Sequence, residues 1–318
     1  MPVSRRHLVQ SAVALAALPA GAHAAASLSA AQAPGFYRYK VGDLELTAIH
    51  DGFYLRPLEG LIANAPMEAV KEATAAAYMP ADRITIPFTT TVINTGSKLV
   101  LIDTGNGDTT VGTSGKWMAN FRAAGFTPEQ VDTVIISHFH GDHINGVRLK
   151  DGTAVFPNAE IMVPAAEWAY WMDDAKMAAA PEGMKGGFAN VRRVFGPVAK
   201  NVVQYSPDKE IITGVTTIAA PGHTPGHTAY AVTSGGGRVM LLSDTTNSPL
   251  VFARNPDWHG VFDMDGPMAQ ATRHRMLDIA ASERMQVAFY HAPFPATGHI
   301  VRAGAGYDFV PLAWSSAV

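Results

Sequence analysis

The sequence predicts an α/β chain folded as a four-layer αββα sandwich, two sheets face to face with helices outside. Two observations carry that prediction. Apolar, β-branched runs of strand length recur through both halves of the chain, broken by turn signals and helical stretches. In each half one such run ends in a histidine-bearing loop. Residues 131–137 feed His138-Phe139-His140-Gly141-Asp142-His143, and residues 215–219 feed Pro221-Gly222-His223-Thr224-Pro225-Gly226-His227. Sheets with apolar faces bury them by packing together under helices, which gathers the loops at one edge.

The elements follow in order. Residues 36–41 and 44–49 read as strands joined at Gly42-Asp43, a short hairpin signal. Residues 89–94 and 99–103 make a second hairpin about Thr95-Gly96-Ser97-Lys98. A helix over 115–124 stops at Gly125, 131–137 is a strand, 165–178 is helical, and the glycine-rich 183–187 reads as flexible. The second half repeats this grammar. Strands 215–219, 228–232 and 238–242 precede a helix over 267–282 with Asp265 at its N-cap, and strand 286–290 ends at His291. The halves span about 35–190 and 191–318 of one domain covering 25–318.

Composition bounds the function. A chain of 318 residues with 47% hydrophobic content has ample material for a core. Net charge is −3 and only 16% of residues are charged, so no basic stripe invites nucleic acid. With no cysteine, any metal must sit on histidine and carboxylate. Ser4-Arg5-Arg6-His7-Leu8-Val9-Gln10, an apolar stretch over 8–18 and Ala22-His23-Ala24 predict a twin-arginine signal peptide over 1–24. That implies the twin-arginine export machinery as a partner and a periplasmic mature protein. The stretch is too short and interrupted to span a membrane.

Four ligand groups within residues 138–143 are costly to bury unless a cation pairs with them. In a strand His138 and His140 would share a face, and the break at Gly141 lets a loop aim Asp142 and His143 separately. This suits two adjacent metal positions and points to a metal-dependent hydrolase.

His138-Phe139-His140-Gly141-Asp142-His143 resembles the His-x-His-x-Asp-His signature of the metallo-β-lactamase superfamily. Further segments match in order. Leu101-Ile102-Asp103-Thr104-Gly105 resembles the family's Asp-Thr-Gly strand end, Gly222–His227 its third-histidine loop, and Ser243-Asp244 its bridging aspartate. His291-Ala292-Pro293-Phe294-Pro295 with Gly298-His299 resembles the last-histidine loop of the methyl parathion hydrolase-like branch. The resemblance implies the metallo-β-lactamase fold and two divalent ions, zinc first, with manganese, cobalt or iron as alternatives by availability. His138, His140 and His223 would hold one ion, Asp142, His143 and His291 the other, and Asp244 both. A bridging hydroxide would attack the substrate, Asp142 or a metal-bound water would return the proton, and the branch implies a homodimer. Asp103 is expected to orient a ligand histidine, and His227 to support its loop. His299 is the alternative to His291, which is preferred because it follows an apolar strand directly.

Departures from the family narrow the substrate. The Asp142-His143 pair and the lack of cysteine point away from β-lactams. The absence of Lys and Arg in 307–318 weakens a glyoxalase II-like thioesterase, and retained second-site ligands weaken a mononuclear iron oxygenase. Thr245-Thr246-Asn247 after Asp244 lacks the tyrosine that some acyl-homoserine lactonases use. Phe88, Trp117, Phe139, Trp168, Trp171 and Phe188 cluster near the expected mouth. Phe88, Trp171 and Phe188 are the preferred pocket residues, for a small, neutral, partly apolar substrate. The expected reaction is lactone opening or carboxyl-ester cleavage, with phosphotriester hydrolysis as the alternative.

Overall fold

Period-two alternation assigns the strand residues to layers. In the computed structural model, which describes residues 28–318, Val100 and Ile102 face one cluster of buried side chains while Leu99 and Leu101 face another. The twin-arginine segment lies outside the described residues. The first sheet holds β1 (Phe36–Val41), β2 (Leu44–Pro57), β3 (Arg83–Asn94), β4 (Leu99–Ile102), β5 (Thr133–Ile135), β6 (Glu160–Pro164) and β7 (Val203–Tyr205), paired in sequence order. The second holds β8 (Glu210–Ile212), β9 (Val215–Ala219), β10 (Thr228–Ser234), β11 (Gly237–Ser243), β12 (Gln286–Phe289), β13 (Thr297–Ala303) and β14 (Gly306–Pro311).

Three apolar seams make the four layers. Between the sheets, Leu46, Ile93, Val100 and Ile135 meet Val215, Tyr230, Val239 and Leu241. Outside the first sheet, Leu101, Val134 and Val163 pack on α2 (Trp117–Ala123), which follows α1 (Met67–Ala76) in the chain, and on Phe188, Val191 and Phe195 of a long helix over Glu182–Phe195. Outside the second, Met240, Leu242 and Val287 pack on Met276, Leu277 and Ala280 of the helix Gly266–Ser282. The predicted αββα sandwich is the observed fold.

The expected strands Phe36–Val41 and Val215–Ala219 match in extent, and Asp265 caps its helix by accepting from the Met268 N–H. Five features differ from a plain reading of the strand and loop pattern. Strands β4 to β7 pair in parallel, as do β11 and β12, because helical crossovers separate them in sequence. Strand β5 ends at Ile135, so His138 and His140 stand beyond it on loop backbone. Gly141, Asp142 and His143 form a helical turn, α3 (Gly141–Ile144), in place of a loop. The stretch 183–187 is helical as well. Phe188, Val191, Val194 and Phe195 at helical spacing bury one face, and that packing outweighs a glycine cost of about 1 kcal/mol each. The helix expected over 165–178 is two, α4 (Ala165–Trp171) and α5 (Asp174–Ala179), split where Asp173 caps the second.

Candidate metal centre

Strand ends supply the site. The loop after β5 carries His138 and His140, α3 carries Asp142 and His143, the loop after β9 carries His223, and β11 and β12 end just before Asp244 and His291. The crevice beyond the carboxyl ends of parallel strands is where open α/β sheets collect ligand-binding loops. Asp103, just past β4, and Ser243, at the end of β11, turn the chain through left-handed backbone, φ 61° and 44°.

The seven side chains form two groups. His138, His140, His223 and Asp244 offer ligand atoms within 4.8 Å of one another, and so do Asp142, His143 and His291. His140 Nδ1 lies 3.1 Å from His138 Nε2 and 2.9 Å from His223 Nε2. Asp244 stands between the groups, with Oδ2 3.3 Å from His223 Nε2 and 2.9 Å from His291 Nε2, and Oδ1 3.2 Å from His143 Nε2. All are buried except His140 and Asp142, which are partly exposed.

In four of the five clustered rings the nitrogen pointing away from the centre is tied to protein. His143 Nδ1 meets Asp103 Oδ2 at 2.8 Å, His223 Nδ1 meets Asp263 Oδ1 at 2.9 Å, and His291 Nδ1 donates to the Pro87 carbonyl at 2.7 Å. The Ser137 hydroxyl donates to Asp103 Oδ2 at 2.8 Å, so it receives its 3.1 Å bond from His138 Nδ1–H. Each of these four thereby turns its other nitrogen inward, the arrangement that orients metal-binding histidines. His227 donates from Nδ1 to the Ala220 carbonyl and accepts the Asp244 N–H at Nε2, holding the aspartate's backbone.

The charges fit a cation. Burial, reinforced by the His223 charge, pulls the His140 imidazole down to about 3, and burial takes His138 well below its usual range. Burial opposes charge on Asp244 too, but His291 and His143 hold its carboxyl far down, so it stays ionised. Two buried atoms facing each other, Asp244 Oδ1 and His143 Nε2, have no hydrogen-bond partner. Buried nitrogen and oxygen donors that converge about an ionised carboxylate suit a divalent ion of the zinc class.

The groups open onto a cavity of about 410 Å³. Tyr54, Ile86, Phe88, Val111 and Phe262 make its apolar wall. Phe88 is where the sequence put it, edge-on to His291 at 5.6 Å. Trp171 and Phe188 are not on that wall. Their rings meet at 4.8 Å, tilted by 52°, in the outer core, where apolar burial claims them, with Trp171 edge-on behind His140. Trp117 and Phe139 are likewise core, with Trp168 packed against them. His299 is absent from the centre. It sits on β13 against the Met285 carbonyl, at the opposite end of β12 from His291. Sequence reasoning missed Asp263 and the buried Arg273, whose guanidinium lies 3.5 Å from Asp263 and donates to the Thr245 and Pro256 carbonyls. It also missed Tyr290, whose hydroxyl donates to the Asp142 carbonyl at 2.5 Å while its ring lies 3.9 Å from that of His143. No local motif marks Asp263 or Arg273; Tyr290, beside His291, was within reach.

Comparison with known proteins agrees with this geometry. A hydrolase of the β-lactamase superfamily, AbOPH, superposes with a TM-score of 0.84 at 29% identity, over 90% of this chain and 100% of that one. AidC, a dizinc quorum-quenching lactonase solved with N-hexanoyl-L-homoserine, superposes with a TM-score of 0.84 at 26% identity, over 89% and 99%. An N-acyl homoserine lactonase from a Bacillus species is 23% identical over 67% of this chain and 84% of its own length. Residues 89–291, from the third strand to the last of the clustered histidines, match the model of the metallo-beta-lactamase superfamily, and the chain belongs to that superfamily.

Proposed function

We propose that this metal-dependent hydrolase holds two divalent ions, zinc first, and uses them to open a lactone or cleave a carboxyl ester of a neutral, partly apolar substrate. The observation that carries this reading is Asp244 lying between two His/Asp groups at the floor of an apolar cavity. His138, His140 and His223 would hold one ion, Asp142, His143 and His291 the other, and Asp244 both. When bound, such ions activate water and polarise the attacked carbonyl. The dizinc lactonase that superposes on this chain supports the choice of metal and of bond.

The chain's own groups do the rest. The apolar wall takes the alkyl part of the substrate and keeps bulk water from the reacting carbonyl. Asn145 gives its side-chain oxygen to Asn190 and Arg193, leaving its amide N–H groups for a substrate oxygen. The partly exposed Asp142 carboxylate, on the cavity wall, passes the water's proton to the leaving alkoxide oxygen. The carbonyl carbon gains the hydroxyl, and the C–O bond breaks with its electron pair on that alkoxide. Periplasmic placement rests on Arg5-Arg6 and the apolar run after them, and cell fractionation tests it.

A hydrolysis panel of N-acyl homoserine lactones, aryl esters and methyl parathion, with His140→Ala as blank, tests the function. Turnover of lactone or ester, lost at least 100-fold in the blank, is the expected result (on the order of the loss of a metal ligand). Turnover of methyl parathion alone transfers the reading to phosphotriesters. Two bound metals with no turnover of any of the three would sink it.

A further inference from the structure

Glu167 belongs to α4, hydrogen-bonds to none of the seven clustered residues and is 0% exposed. Its Oε2 accepts the Phe139 N–H at 2.9 Å, from the residue between His138 and His140. Its Oε1 accepts the Gly226 N–H at 2.6 Å, in the loop that carries His223. Oε2 also accepts Trp171 Nε1–H at 2.9 Å, and that indole stands edge-on behind His140. One carboxylate therefore spans the two loops that supply all three histidines of the first group, one loop from each half of the chain.

The approach is tight. A Cβ on Gly226 would lie 2.5 Å from the Glu167 nitrogen and 2.9 Å from Ala166 Cβ, so glycine is required for the helix to come this close. All three partners are donors, so the group accepts as an ionised carboxylate; an amide or a protonated acid would set a donor against donors. No lysine or arginine among the described residues pairs with it. A buried anion without a counter-ion is costly, and a cation between His138, His140 and His223 would offset that cost.

We propose that Glu167 is the positioning residue of the first group, setting the spacing of its three histidines and adding negative charge behind them. This rests on the metal-site reading above. Metal-stripped wild type, Glu167→Gln and Trp171→Phe are titrated with zinc against a chromogenic chelator and with cobalt while visible spectra are recorded. Glu167→Gln is expected to weaken one metal position about 10–100-fold, to alter the cobalt d–d bands of that position, and to leave the other position intact. Glu167→Asp, one methylene shorter, is expected not to rescue it.

Wild-type affinity and spectrum in a Glu167→Gln protein that is folded by circular dichroism would overturn the inference alone. If that variant fails to fold, Trp171→Phe, which removes one of the three donors, decides the matter. A several-fold loss at the same position supports the inference and no loss overturns it. A wild type that takes up neither metal overturns the metal-site reading, and the inference with it, before any variant is compared.

Discussion

His223 has a carboxylate on each side of its ring, Asp263 at Nδ1 and Asp244 at Nε2. Burial alone would favour the neutral ring, but hydrogen bonds to these two carboxylates outweigh it and hold the imidazole up at about 9. Without metal the ring is protonated at neutral pH. Its contribution to stability is fully present below the unfolded value near 6.5 and is lost as pH rises through about 9. A metal must displace that proton. Zinc affinity of the stripped protein should therefore climb between pH 6.5 and 9, by up to about tenfold per unit, and flatten above. Chelator competition across that range measures it, and a flat profile would contradict it. Asp263→Asn should lower affinity about 10–100-fold and shallow the slope, because one of the two anions holding the proton is gone.

The segment between β4 and α2 forms a wall of the cavity through Asn106, Thr109 and Val111, and a single side chain on β2 holds both its ends. Asp51 Oδ2 accepts the backbone and side-chain N–H of Asn106, at 2.9 and 3.0 Å, while Oδ1 accepts the N–H of Gly115 and of Trp117, at 2.8 and 2.9 Å. Asp51→Asn would turn a donor onto donors. The expected cost is about 2–4 kcal/mol in urea unfolding, with KM raised more than kcat falls, since the part that Asp51 holds, from Asn106 onward, lines the cavity, while the contacts to His143 are made by Asp103 and Thr104 before it. An unchanged KM would count against this role. Elements of this kind divide by how local their causes are. Strand β9 and the helix capped by Asp265 were legible because alternation, caps and turns are written in adjacent residues. The seven clustered residues were legible for the same reason, each standing in or just after a short motif. The helix through Gly183 and Gly187 was not, because packing of Phe188 and Val191 overrode local preference. Asp263 was not, because its partner His223 is 40 residues away in sequence. Pocket and core aromatics look alike in sequence, so the three expected together part in the structure, Phe88 on the cavity wall and Trp171 and Phe188 in the outer core.

At the scale of the molecule, three apolar seams hold the layers and the His/Asp groups add a polar clasp at one edge. Chelation should abolish hydrolysis and lower the melting temperature while leaving far-ultraviolet circular dichroism unchanged. Saturating metal at a hundred times its Kd stabilises the native state by about 2.7 kcal/mol. Zinc, manganese or cobalt added back should restore both, and a chelated protein that keeps its melting temperature would show the clasp to be energetically idle. Each group draws on both halves, with His138 and His140 meeting His223, and Asp142 and His143 meeting His291. No fragment that stops short of the last of these can assemble the full set. Long-range closure of this kind comes late in folding. Occupancy of both groups would therefore report that synthesis has passed the last of the clustered histidines, because a product ending before His291 keeps the donors of the first group and lacks one of the second.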